Sequence, residues 1–347
     1  MPALGVTLGP IVKELGVGKI VRVEFFEGKI IAIDALPTLY EMLAMIRDKR
    51  GLYLVDEKGR VTSHLVGLFN RVCRMLAKGL KPVFIFDGPP HPLKMKELEL
   101  RRKEKLEFQK KFIEAVLAGK YEEAKKLGKR AMVVNDEMIR SAKELLKLMG
   151  IPVIDAPHDG EAQAAYIVIK GDAFVAAVRD WDAFLYGAPR IVMDLKMSPN
   201  PFFKPRYYEL SEFLAKAGIT REQLVDLAIL LGTDYNPGGF EGIGPKTALM
   251  LIKKYGSIEK LIKMRKIVWN YDVPPSEIRN IFLNPPIRED YKIEFKDPDV
   301  QGVIKFLVDE YNFSKNRVMK ELSETVKRLS LEKKGKQASL DIFLGRL

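Results

Sequence analysis

One cysteine and three histidines are all that the 347 residues offer in thiolate or imidazole ligands. That excludes a disulfide framework and a cysteine-rich zinc site. Cys73, inside LFNRVCRML, reads as a buried core thiol. No apolar run reaches the roughly 20 residues of a membrane span, and the N-terminal stretch lacks the apolar core of a secretory signal. The expected setting is intracellular, cytoplasmic if the source is prokaryotic or archaeal, with no membrane partner. Acidic residues are the minority charge: 46 Asp and Glu stand against 58 Lys and Arg, a net charge of +12 with pI near 9.4. Such a balance points to a polyanionic partner and says nothing about fold. Abundant Lys and Glu beside one cysteine also fit a thermophile.

The carboxylates that are present stand at informative places. The length permits one large domain or two smaller ones, and strand-like and helical patterns alternate, as in an α/β fold with a mostly parallel sheet. Asp34 ends KIIAID, Asp87 ends KPVFIFD, and Asp234 follows the helical pattern REQLVDLAILLG. Asp159 and Glu161 open a helix after IPVID, and Asp180 and Asp182 follow the apolar run from Asp172 to Val178. That run reads as a strand buried on both faces, whose alternation aims Asp180 and Asp182 the same way past its carboxyl end. Ligands of open α/β sheets bind outside those ends.

Seven carboxylates gathered at buried edges repel one another unless a cation is present. Oxygen-only ligands favour Mg²⁺, for which Mn²⁺ can substitute, over zinc. The competing reading of each acid alone is a helix cap or loop residue; the set argues for metal.

Other stretches are read in chain order. The segment Thr62-Ser63-His64 opens a helix that Ser63 or Thr62 can cap, with His64 structural rather than catalytic. From Lys94 to Arg130 thirteen basic residues face seven glutamates, a net +6 over 37 residues without a sustained apolar stripe. Taken alone that is a solvated helical hairpin, but its start beyond GPPHP places its cations near Asp87. Residues 197–208, with MSPNPFFKPRYY, read as a loop, and Asp226 as a helix-surface acid. Gly242-Ile243-Gly244 before a helix, then Lys246, is a helix–hairpin–helix signal, with glycine amides and a helix N-terminus open to phosphate. Lys253 and Lys254 can add contacts. The chain from Lys327 to Lys336 reads as loose, and Gln337, Leu340, Phe343 and Leu344 then stand at helical-turn spacing, a short tail able to dock in a hydrophobic groove.

IAIDA, GRVTSHLVGLF, KPVFIFDG, GEAQAAY, RDWD, LGTDYNPGG with GIGPKTAL, FLNPP and the tail together resemble the flap endonuclease family of structure-specific 5′ nucleases, nearly end to end. The resemblance implies a single nuclease domain over 1–330, with a helical arch at 88–135 and the helix–hairpin–helix at 232–262, then a flexible tail at 331–347. It implies two-metal cleavage of branched DNA near the flap junction, in replication and repair, by a monomer. Asp34, Asp87, Asp159 and Glu161 fall on one metal site and Asp180, Asp182 and Asp234 on the other. Lys94 and Arg101 fall on the family's catalytic cations. Gly242, Gly244 and Lys246 fall on the duplex-gripping motif, which often holds a monovalent cation, and the tail falls on a sliding-clamp (PCNA) interaction box.

The chain departs from the family at several points. Asp159 stands where Glu is usual, with His158 beside it, and Arg179 replaces a Gln or Glu. Gly5-Val6 aligns with the family's Met-Gly start, and Leu344 replaces an aromatic. A weakened paralogue acting as a DNA-binding scaffold on the clamp is the alternative that these departures raise.

Overall fold

The computed structural model describes residues 6–197 and 204–343. Seven strands, β1 Lys19–Ile20, β2 Ile30–Asp34, β3 Lys81–Phe86, β4 Val153–Asp155, β5 Val175–Ala177, β6 Arg190–Met193 and β7 Arg206–Glu209, form one sheet in the order β1-β7-β6-β5-β2-β3-β4. From β6 to β4 all neighbours are parallel, while β7 and β1 pair antiparallel at one edge. This is the mostly parallel, helix-flanked sheet expected from the alternating pattern.

Side-chain alternation splits the core in two. Ile31, Ile33, Phe84 and Phe86 turn to one face, under the helices Ala35–Met45, Ser63–Ala77 and Asp136–Leu148. Ala32, Val83 and Ile85 turn to the other, under Gly160–Ile169 and Arg221–Leu231. Strands buried on both faces are therefore continuously apolar, and burying each large side chain contributes about 1.5–3 kcal/mol. The chain leaves β2 for β3 and β4 on one side, then returns to the other side of β2 as β5 and β6. The crevice beyond β2 and β5 is thus the switch point where such sheets bind ligands.

The basic segment is a hairpin of the helices Met95–Leu117 and Tyr121–Arg130. Few of its side chains are buried; Leu100, Leu106, Ile113 and Leu117 are exposed. Polar ties hold it: Arg47 Nη2 donates to the Gly128 carbonyl at 3.0 Å, and Gln109 Nε2 to the Ala131 carbonyl at 3.2 Å.

The structure corrects several local expectations. Regular pairing in β5 stops at Ala177 rather than Val178, because the chain curls at once into the helical turn Asp182–Leu185. Asp180 Oδ1 accepts the Asp182 N–H at 3.1 Å in that turn. Turn geometry, not strand alternation, therefore aims these two acids. Residues 206–209, read as loop through 208, form β7. Neither Thr62 nor Ser63 caps its helix: the Thr62 side chain makes no capping bond, and Ser63 Oγ accepts the Leu54 N–H instead.

Two buried polar groups complete the picture. Asp226 is not a surface acid but 2% exposed, bound by Arg279 at 2.6 Å and by the Ile258 N–H at 3.2 Å. His64, read as structural, is buried against Ser141 Oγ at 2.9 Å. Burial pushes its ring down to about 4.

Near the C-terminus the backbone is helical from Lys315 to Phe343, where loose chain was expected from Lys327. The side chains of Gln337, Leu340 and Phe343, and all of Leu344, lie outside the described residues. So does Gly5.

Candidate active site

The seven carboxylates converge where the switch point lies. Asp34 closes β2 and Asp87 follows β3; Asp159 and Glu161 enter the helix Gly160–Ile169, and Asp180 and Asp182 curl from β5. Asp234 arrives after the helix Arg221–Leu231. Gly160 permits the approach of the first two acids: a Cβ there would stand 2.7 Å from Asp87 Oδ1 and 3.6 Å from Asp34 Oδ1. Its N–H instead donates to Asp87 Oδ1 at 2.5 Å.

Glu161, Asp180 and Asp182 bring ligand oxygens within 4.8 Å of one another. Val6 N–H donates to Asp182 Oδ1 at 3.0 Å, so the N-terminal segment helps to build the site.

Burial and mutual repulsion raise the pKa values of five of these carboxyls. Asp34 lies well above its ordinary value through burial, then through the charges of Asp87, Asp159 and Asp180. Glu161 and Asp182 lie well above theirs, first from burial and then from Asp180. Burial and the Asp159 charge take Asp87 up to about 7, and burial takes Asp180 to about 6. Asp159 shifts the other way. Burial opposes its ionisation, yet the charge and hydrogen bond of Lys94 hold it below the usual range.

Two cations from the base of the hairpin meet these acids. Lys94 Nζ lies 2.7 Å from Asp159 Oδ2 and 3.3 Å from Asp234 Oδ2, and Arg101 Nη2 lies 3.0 Å from Asp234 Oδ1. Desolvation opposes the charge on Lys94, but Asp159, Tyr235 and Asp234 together outweigh it and raise the Lys94 pKa. All nine residues expected in the catalytic centre therefore come together in one place.

Two features favour a metal there. Asp34 Oδ1 and Glu161 Oε2 are buried without a hydrogen-bond partner among the described residues, an arrangement that costs free energy unless a cation faces them. The donor set is entirely oxygen, which suits a hard divalent ion.

Asp159 carries a further load. It caps its helix through Oδ1, accepting the N–H groups of Glu161 at 3.0 Å and Ala162 at 3.3 Å. Its Oδ2 also accepts the Tyr186 hydroxyl at 3.1 Å. The sequence reading missed Tyr186, although its place four residues after Asp182 puts both on one face of a helical turn. It also missed Tyr235, whose ring centre lies 5.1 Å from Lys94 Nζ.

The departures beside the site are quiet. His158 Nδ1 pairs with the Pro89 carbonyl at 2.7 Å, while the His158 carbonyl accepts the Gly88 N–H at 2.8 Å, stitching two loops together. Arg179 is exposed.

Gly242, Gly244 and Lys246 follow Asp234 in the chain. Gly242 takes φ +76°, a left-handed turn that suits glycine, and Gly244 precedes the helix Pro245–Tyr255. Lys246 is exposed and reaches Glu14 at 3.0 Å. Lys253 and Lys254 lie in that helix's last turn.

Comparison with known proteins gives a consistent result. The XPG N-terminal domain model matches residues 5–108 and the XPG I-region model residues 150–234. Flap endonuclease 1 of Pyrococcus abyssi is 45% identical, over 97% of this chain and 98% of that protein. The structure of flap endonuclease-1 from Methanococcus jannaschii matches with TM-score 0.74 at 36% identity, covering 94% of this chain and all of that one. The catalytic core of Rad2 in complex with DNA substrate shares the fold at TM-score 0.73 and 23% identity, over 92% of this chain and 99% of that one.

Proposed function

The chain belongs to the flap endonuclease family, and from that premise we propose that its carboxylate cluster is a two-Mg²⁺ centre for cutting 5′ flaps. The protein is a structure-specific nuclease, a metal-dependent phosphodiester hydrolase acting on branched DNA in replication and repair. The observation that carries the Mg²⁺ reading is the pair of buried, unpartnered oxygens on Asp34 and Glu161, set in an all-oxygen cluster. Asp34, Asp87 and Glu161 would hold one ion, with Asp159 beside it, and Asp180, Asp182 and Asp234 the other. Such ions, when bound, lower the pKa of a water and offset the charge of the phosphodiester transition state.

The chain's own cations do the remaining work. Lys94 and Arg101, anchored by Asp159 and Asp234, orient the scissile phosphate and offset its developing charge. The basic hairpin serves as the arch that accepts a 5′ single strand. Gly242 to Lys246 present a glycine turn and a helix N-terminus to duplex phosphates, where a monovalent cation can sit. The tail, with Gln337, Leu340, Phe343 and Leu344, docks in the groove of a sliding clamp such as PCNA. The protein works inside the cell as a monomer. The scaffold alternative has lost its support, since the chain matches flap endonuclease 1 nearly end to end, His158 is tied to the Pro89 carbonyl, and the acids converge beside Asp159.

The test is an end-labelled double-flap DNA incubated with Mg²⁺ or with EDTA and mapped to the nucleotide. A cut at the flap junction in Mg²⁺ alone is expected. Tight binding without cleavage in either Mg²⁺ or Mn²⁺ would refute the proposal.

A further inference from the structure

Asp159 is saturated. Its two oxygens accept four donors: the Glu161 and Ala162 N–H groups on Oδ1, and Lys94 Nζ and the Tyr186 hydroxyl on Oδ2. A carboxylate offers about four lone-pair sites, so none is left over. The helix cap fixes Oδ1, but the terminal torsion of Asp is broad, and Oδ2 is held only by what binds it. Those groups are a cation on the hairpin's base and one phenol.

Tyr186 is built for that contact. It is 3% exposed, and its ring packs at 5.2 Å from that of Phe282, while its buried hydroxyl faces Asp159 with Tyr235 and Asp182 nearby, where an unpaired hydroxyl is costly. It closes the helical turn that also carries Asp182, whereas Lys94 sits in a short 3₁₀ turn, Pro92–Lys94, between a proline-rich loop and the exposed hairpin. The hydroxyl thus ties the cation's anchor to the sheet side of the site.

We propose that Tyr186 is a positioning residue: its hydroxyl fixes the Asp159 carboxylate so that Lys94 is held ready for the scissile phosphate. The inference rests on the role assigned to Lys94 above. Tyr186 acts on Lys94 through the Asp159 carboxylate that both groups bind.

The test is Tyr186→Phe, which removes one oxygen and keeps the packing, in a double-mutant cycle with Lys94→Ala. Single-turnover cleavage of a double-flap DNA in Mg²⁺ should fall about tenfold or more in Tyr186→Phe, as expected for losing one hydrogen bond to a charged group. The Kd for the same DNA in EDTA should stay unchanged. In the Lys94→Ala background the second substitution should cost nothing further, because the group it positions is gone.

A readout without catalysis accompanies the cycle. Trace labelling with an amine-reactive anhydride, read by peptide mass spectrometry, should find Lys94 modified severalfold faster in Tyr186→Phe than in the parent. Wild-type cleavage by Tyr186→Phe, equal losses in both backgrounds, or unchanged Lys94 labelling would each overturn the proposal. Full cleavage by Lys94→Ala alone would instead remove its premise, and is told apart by that single variant.

Discussion

Replacing Asp180 by Asn should stabilise the metal-free protein while abolishing its cleavage. Asp180 lies among carboxylates, and burial raises its pKa from an ordinary 3.8 to about 6. The folded state therefore binds more protons than the unfolded one between those values. Its contribution to stability is intact below about pH 4 and is lost as pH rises through 6. At pH 8 the penalty is about 3 kcal/mol, from roughly two pKa units at 1.36 kcal/mol each. Asn keeps an oxygen to accept the Asp182 N–H and carries no charge. In EDTA at pH 8, Asp180→Asn should melt roughly 4 °C above the parent, given an unfolding entropy of about 2.1 cal/mol/K per residue.

The advantage should vanish near pH 4. It should also shrink or reverse in Mg²⁺, because the parent, with every ligand in place, gains more stability from bound ions than the variant does. Differential scanning calorimetry across pH, with and without Mg²⁺, decides the matter. A variant that melts no higher than the parent in EDTA at pH 8 would show that the cluster's repulsion is already relieved by Lys94 and Arg101, and the argument for a required metal would fail with it.

Three further expectations rest on other parts of the molecule. His64 stays neutral when folded, down to about pH 4; because the unfolded ring titrates near 6.5, stability falls as pH drops through that window, by about 3 kcal/mol in full. An NMR titration showing His64 protonated near pH 6.5 would contradict this. Arg279→Ala should destabilise the fold by about 3–5 kcal/mol by leaving the Asp226 carboxylate buried and unpaired, and adding Asp226→Asn should recover part of the loss in urea melts. Truncation after Ser330 should leave cleavage of flap DNA unchanged and remove its stimulation by a sliding clamp; stimulation that persists would place the clamp contact elsewhere.

Much of the centre was legible without coordinates, for a physical reason. Strands of a parallel sheet are short and continuously apolar, so the acids that end them are conspicuous, and Asp34 and Asp87 lie where KIIAID and KPVFIFD stop. Coordination chemistry was legible too, since a chain with one cysteine and three histidines has only oxygen to offer in quantity. The hairpin's exposure followed from its lack of an apolar stripe.

Other features depend on which distant residues meet, and no local pattern encodes that. Asp226 sits in an ordinary helical pattern, and only the arrival of Arg279, 53 residues later, makes it a buried ion pair. Asp180 and Asp182 owe their aim to a turn, because the strand before them stops sooner than its apolar run. Composition, periodicity and the chemistry of the available side chains thus determined the α/β sheet, the acidic ends of its strands and the basic hairpin beyond them. Tertiary structure alone decided that Lys94 reaches across 65 residues to Asp159, and that Tyr186 closes on the same oxygen. Such bonds form only where packing of the whole chain brings the two ends of each contact into a shared, water-poor space.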